Sequence, residues 1–149
     1  MTLTISADDR LAVLDLLARY AWALDTGDYE TYASLFTLDG LFVERGTPYR
    51  GREAMAAHVR ELARTMARGN RHHSTQVLFE EGDESQCRLR SYSSHIYQPG
   101  ESREGVVRMQ GYYRDTCVKV EGVWYFSQRV WDEWLPDQKE EYRPPLRGS

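Results

Sequence analysis

Apolar positions recur at helical spacing through the first seventy or so residues and at every second position afterwards. Ser6 followed by Asp9 has the form of a capping box and starts a helix running to about residue 25. Its apolar stripe is Leu14, Leu17 with Ala18, and Ala21, and the next step along that stripe is Asp25. A carboxylate therefore points inward from a helix C-terminus, where the helix dipole also disfavours it. Gly27 supplies a turn, and Asp28 caps a second helix over 29–36 with Tyr32, Leu35 and Phe36 as its buried side. Asp39-Gly40 leads into a short strand over 41–44, and Gly46-Thr47-Pro48-Tyr49-Arg50-Gly51 reads as a loop. A third helix over 52–68 carries Met55, Val59, Leu62 and Met66, and Gly69-Asn70 ends it.

From Arg71 the period becomes 2, and strands are predicted over 71–81, 84–97, 104–120 and 123–135. Glu81-Gly82-Asp83, Pro99-Gly100-Glu101 and Glu121-Gly122 separate them as hairpin turns. Helices followed by long strands predict an α+β domain over 1–135: a curved antiparallel sheet with three N-terminal helices packed on its concave face. The tail over 136–149 is charged, contains Pro144-Pro145, and is expected to wrap the surface or fray.

Alternation assigns the faces. His73, Thr75, Val77 and Phe79 form the set expected to face inward, which puts His72 outside and His73 opposite Asp25. A buried carboxylate and a buried imidazole are far less costly as a hydrogen-bonded pair than apart. In the next strand the set Cys87, Leu89, Ser91, Ser93, His95 and Tyr97 brings His95 to the cavity rim. In the third, Val107, Met109, Gly111 and Tyr113 face inward, with Gly111 leaving space. The last strand splits into Trp124, Phe126, Gln128, Val130, Asp132 and Tyr125, Ser127, Arg129, Trp131; both sets carry aromatics, so alternation leaves the inward set open. A sheet apolar on both faces predicts a homo-oligomer, a dimer or trimer.

Composition narrows the function. A net charge of −4 with scattered Lys and Arg argues against nucleic acid and membrane surfaces as partners. The start of the chain lacks the basic residues and apolar run of a secretion signal, and no apolar span of about 18 residues occurs, so a cytoplasmic location is expected. Cys87 and Cys117 read as structural thiols. Ten Tyr and four Trp suit a pocket for a cyclic, partly oxygenated small molecule. His72-His73 has no carboxylate at ligand spacing, and no nucleotide loop or nucleophile elbow is present, so no metal or cofactor is expected.

The succession Tyr20-x4-Asp25-x-Gly27-Asp28, Leu35-Phe36-Thr37-x-Asp39-Gly40, Tyr49-x-Gly51-Arg52-Glu53-Ala54, Arg71-His72-His73-Ser74-Thr75 and Gly111-x-Tyr113-x-Asp115, with Gly122-Val123-Trp124-x-Phe126-Ser127-x-Arg129 after it, is distinctive. It resembles the SnoaL-like branch of the nuclear transport factor 2-like superfamily over about residues 8 to 132. The resemblance implies a cone-shaped α+β barrel with three helices closing a curved sheet around a deep pocket. Eliminating members of that superfamily use an Asp–His pair, which falls on Asp25 and His73, and in the dehydratases a tyrosine, which falls on Tyr20. The expected activity is therefore a cofactor-independent lyase, a dehydratase of a hydroxylated cyclic, polyketide- or steroid-like molecule. His73 would move the proton, Asp25 would orient it, and Tyr20, or Tyr49, would hold the carbonyl oxygen. Trp22, Tyr49, His95, Met109 and Tyr113 are the expected substrate contacts, and Arg129 is either a pocket anion binder or a surface ion pair. The superfamily also holds polyketide cyclases, isomerases and non-catalytic dioxygenase small subunits, so proton transfer without elimination and plain ligand binding remain open.

Overall fold

In the computed structural model, which describes residues 2–65 and 69–134, the chain runs α1 (Ala7–Thr26), α2 (Tyr29–Ser34), β1 (Phe36–Glu44), β2 (Thr47–Arg50), α3 (Arg52–Thr65), β3 (Arg71–Gly82), β4 (Gln86–Tyr97), β5 (Val106–Val120) and β6 (Val123–Glu133). The Ser6 hydroxyl accepts the Asp9 N–H at 3.1 Å and starts α1, and Gly27, at φ 71°, closes it in the left-handed region. Its buried stripe is Val13, Leu16, Leu17, Tyr20, Ala23 and Leu24. That face is rotated from the expected one: Leu14 is 39% exposed, and Tyr20 lies at the centre of the buried side.

The six strands form one sheet in the order β2-β1-β6-β5-β4-β3, with the helices against its concave face. The stretch 46–51, which reads as a loop, contains β2, which pairs with β1 at the sheet edge, where Pro48 costs no interior ladder bond. α2 ends two residues earlier than expected because Phe36 already belongs to β1. Every neighbouring pair is antiparallel except β1 with β6, which is parallel. The chain crosses from β2 through α3 to the far edge and returns by the meander, so β6 arrives beside β1 running the same way.

Three of the sheet's register shifts bear on which side chains face the cavity. Thr75 pairs with Tyr92 and Leu78 with Arg90, so β3 holds one extra residue near Gln76, whose φ is 49°. His95 pairs with Met109 and Ile96 with Val107, which makes Arg108 the extra residue of β5. Thr116 pairs with Gln128 and Cys117 with Phe126, which makes Ser127 the extra residue of β6. The last bulge resolves the ambiguity of the final strand, because Trp124 and Phe126 before it and Arg129 and Trp131 after it are all buried. Cys87 and Cys117 sit opposite one another in β4 and β5 as buried free thiols.

The tail over 136–149 and Met66 lie outside the described residues. No helix among the described residues is long and apolar enough to cross a membrane.

Asp9 ties the start of α1 to the sheet. Besides its bond with Ser6, its Oδ1 accepts from Lys119 Nζ at 2.7 Å and from Trp124 Nε1 at 2.8 Å. Those hydrogen bonds, Lys119 foremost, lower the Asp9 pKa from 3.8 to about 2. A depressed carboxyl pKa stabilises the fold above about pH 4 and ceases to do so as the pH falls toward 2. Asp9→Ala keeps the Ser6 cap and removes the side-chain links to Ser6, Lys119 and Trp124, and is expected to lower the thermal midpoint at neutral pH by roughly 2–4 °C, about 1 kcal/mol. Circular dichroism melts should show that gap closing as the pH drops below about 4.

Candidate active site

Asp25 lies in the last turn of α1 and reaches the first residues of β3. Its two oxygens accept the backbone N–H of His72 at 3.2 and 3.1 Å, and its Oδ1 stands 2.5 Å from His72 Nδ1. The two side chains are only 8% and 7% exposed. A backbone N–H and an imidazole N–H thus compensate a carboxylate that burial and the helix C-terminus both disfavour. With Nδ1 committed to Asp25, Nε2 is the nitrogen His72 leaves for a ligand.

The histidine partner is therefore His72 and not His73. His73 is exposed on the opposite face, because the extra residue near Gln76 shifts the alternation by one position. Val77 and Phe79 do face inward, as expected, but upstream of the bulge the residues on their side are His72 and Ser74.

His72 lines a cavity of about 280 Å³. Tyr20, Tyr32, Tyr113, Phe42 and Trp131 give it an aromatic interior, with Leu24, Leu62 and Met109 beside them. The Tyr32 hydroxyl donates to the Tyr20 hydroxyl at 3.1 Å. Burial raises the pKa of all three tyrosines, so each keeps its proton and remains a donor. His95 is 6% exposed, stacks on Trp131 at 5.4 Å and meets the His72 ring edge-on at 4.1 Å. Burial, followed by the charges of His72, Arg45 and Arg108, pulls its pKa down to about 3, and neither ring nitrogen has a hydrogen-bond partner. The amide oxygen of Asn70 is likewise buried and unpartnered on the cavity wall.

Of the expected site residues, Asp25 holds His72 at the edge of this cavity, and Tyr20, His95, Met109 and Tyr113 line it. Three others do not line it. Trp22 is 73% exposed, since it lies two residues and about 200° around α1 from Tyr20. Tyr49 stacks on His58 at 3.9 Å and on Phe42 at 6.1 Å, outside the cavity lining. Arg129 is neither a pocket anion binder nor a surface pair. It is wholly buried, 3.3 Å from Asp115, with its guanidinium 3.6 Å from the Tyr113 ring centre and 4.1 Å from that of Tyr20. Sequence reasoning missed His72, Asn70, Arg45 and Arg108 as cavity residues. Asn70 read as a helix stop, and Arg108 owes its position to a bulge that no glycine, asparagine or proline announces.

Among the described residues, no group of three or more His, Cys, Asp or Glu is placed to hold a metal ion.

Residues 6–130 match the SnoaL-like domain family. Among solved structures, the chain is 28% identical to Rv3472 of Mycobacterium tuberculosis, described as a protein of unknown function, over 89% of this chain and 76% of that one, with a TM-score of 0.79. It is 26% identical to a protein from Novosphingobium aromaticivorans named as a scytalone dehydratase by assignment, over 85% of each chain, with a TM-score of 0.73. ActVI-ORFA from Streptomyces coelicolor, 18% identical over 83% of this chain and 96% of that one, shares the fold at a TM-score of 0.76. No curated protein sequence matches the chain.

The buried pair beneath the tyrosines has a testable pH signature. Burial pushes the Asp115 carboxyl up to about 6, against the lowering effect of Arg129. The folded chain therefore binds this proton more tightly than the unfolded one, and the group's contribution to stability falls as the pH rises from about 4 to about 6. Asp115→Asn removes the titration while keeping a neutral side chain of the same size beside Arg129. Urea unfolding across this window should show wild type losing stability relative to the variant as the pH rises; a gain instead would mean that Arg129's attraction outweighs burial.

Proposed function

Because the chain belongs to the SnoaL-like family, which includes dehydratases and polyketide cyclases, we propose that it is a cofactor-independent dehydratase acting on a hydroxylated cyclic ketone of polyketide- or steroid-like chemistry. The observation that carries this reading is the 2.5 Å contact between Asp25 and His72 Nδ1 at the wall of a cavity whose interior also presents Tyr20. The Novosphingobium neighbour's name is consistent with it.

In this reading Asp25 keeps the proton of the neutral imidazole on Nδ1 and stabilises the imidazolium that forms later. His72 Nε2 removes a proton from the carbon next to the substrate carbonyl, and the electrons of the broken C–H bond move to the carbonyl oxygen. The hydroxyls of Tyr20 and Tyr113 donate to that oxygen as its charge grows, with Tyr32 donating in turn to Tyr20. Arg129 adds a fixed positive charge behind the rings of Tyr20 and Tyr113, and Asp115 keeps that charge compensated in the resting state. The enolate then expels the hydroxyl on the next carbon, and His72 returns its proton to the departing group as water. A positioned base of this kind contributes ~10²–10⁴-fold to rate.

Incubation with a panel of β-hydroxy cyclic ketones, read by mass spectrometry, should give a product lighter by one water. On the substrate so found, Asp25→Asn and His72→Ala are expected to lose about 100-fold or more in kcat, while His73→Ala stays within about threefold of wild type. Full activity in His72→Ala contradicts the mechanism. A product of unchanged mass that carries solvent deuterium assigns the same pair to isomerisation or cyclisation.

A further inference from the structure

The elimination chemistry above uses the deep side of the cavity and leaves its mouth unexplained. There the lining includes Arg45 and Arg108, in a chain whose net charge is −4. Arg45 is the first residue of the two-residue turn between β1 and β2, at φ 48°, and packs its guanidinium 5.1 Å from the Trp131 ring centre with Glu133 at 3.2 Å. Arg108 is the extra residue of the β5 bulge. Regular alternation from Met109 would send it to the convex face, and the bulge instead lets it line the cavity. Its guanidinium lies 5.8 Å from the Tyr97 ring centre and has no carboxylate partner among the described residues.

An arginine at an opening is, taken alone, an ordinary solvated side chain. The second observation comes from the strand paired with it. His95, directly opposite Met109, is almost wholly buried, lines the same cavity, and has both ring nitrogens without a partner. A buried polar ring left unsatisfied points to a ligand group that completes it. The fields of Arg45 and Arg108 reach this ring and, with burial and His72, keep it neutral, so it offers one N–H donor without competing for a cation's place. Glu44, the acid on the cavity wall, is turned to His58 at 3.2 Å. The unbalanced charge left at the mouth is therefore positive, and His95 adds an N–H donor beside it.

We propose that the ligand of this cavity carries a carboxylate, held at the mouth by Arg108 and Arg45 with a hydrogen bond from His95. This deepens the proposed function by naming the substrate as a cyclic hydroxy-ketone acid: the acid group anchors at the mouth and the ketone reaches the tyrosines. Such an anchor sits beside the base, since the His95 ring lies 4.1 Å from that of His72, and it can fix the substrate's orientation without taking part in the chemistry.

The test is binding without turnover, so its outcome is independent of whether Asp25 and His72 perform elimination. Titration calorimetry compares 2-naphthoate with 2-naphthamide, two bicyclic probes of near-identical shape that differ in charge. Wild type should bind the naphthoate about 10-fold or more tightly than the amide, the usual worth of a charge-assisted hydrogen bond. Arg108→Gln, at an exposed position, should cut that ratio by about fivefold or more and leave the amide's affinity unchanged. Arg45→Gln should cut it less, because Glu133 already offsets that charge. Equal affinities in wild type, a ratio unchanged in both variants, or saturation by neither probe at millimolar concentration overturns the proposal.

Discussion

The contact of Asp25 with both the backbone and the ring of His72 ties the end of α1 to the start of β3, and the cavity depends on that junction. A carboxylate in the last turn of a helix opposes the dipole, and burying it adds a second cost. Two hydrogen bonds from the partner strand, one from backbone and one from imidazole, offset both. Removing either member of such a buried pair leaves the other uncompensated, so this junction is structural as well as chemical. Because α1 is held there, Tyr20, a turn and a half earlier on the same helix, is carried down between Tyr32, Tyr113 and Phe126.

The cavity is divided by electrostatics into a floor and a mouth. At the floor, tyrosines kept protonated by burial lie over Arg129, whose charge is balanced by Asp115. This arrangement places donors and a fixed positive charge where negative charge would develop on a ligand oxygen, with the water-accessible side restricted to the opening. At the mouth, a neutral His95 and two guanidinium groups add further donors. Apart from Glu44, which faces His58, the polar groups lining the cavity are donors or uncharged.

Much of this was legible in the residues. Ser6, Gly27 and Asp28 mark the helix ends, the change of period at Arg71 marks the start of the meander, and Asp25 stands out as a charge beside an apolar stripe. The inward orientation of Met109 and Tyr113 and the placing of His95 also follow from simple alternation, because no bulge separates them from their buried neighbours. What alternation cannot see is an extra residue. Gln76, Arg108 and Ser127 are not residues that announce a bulge, yet each reverses the side on which its upstream or downstream neighbours project. The extra residue near Gln76 alone puts His72, and not His73, beside Asp25. Trp22 and Tyr49 miss the cavity for a different reason: aromatic character suggested a pocket, whereas helix rotation put one in solvent and stacking on His58 took the other. The parallel pairing of β1 with β6 is set by the path of the whole chain and has no local signal.

The central claim is that Asp25 fixes His72 with its proton on Nδ1 and its Nε2 bare toward the cavity. Long-range proton–nitrogen correlation spectra of the neutral imidazoles, with His72 assigned by the His72→Gln variant, read the tautomer directly. The account predicts the Nδ1-protonated form for His72 in wild type and its loss in Asp25→Asn. A His72 ring that is protonated on Nε2 in wild type, or that gives the same spectrum in both proteins, contradicts it.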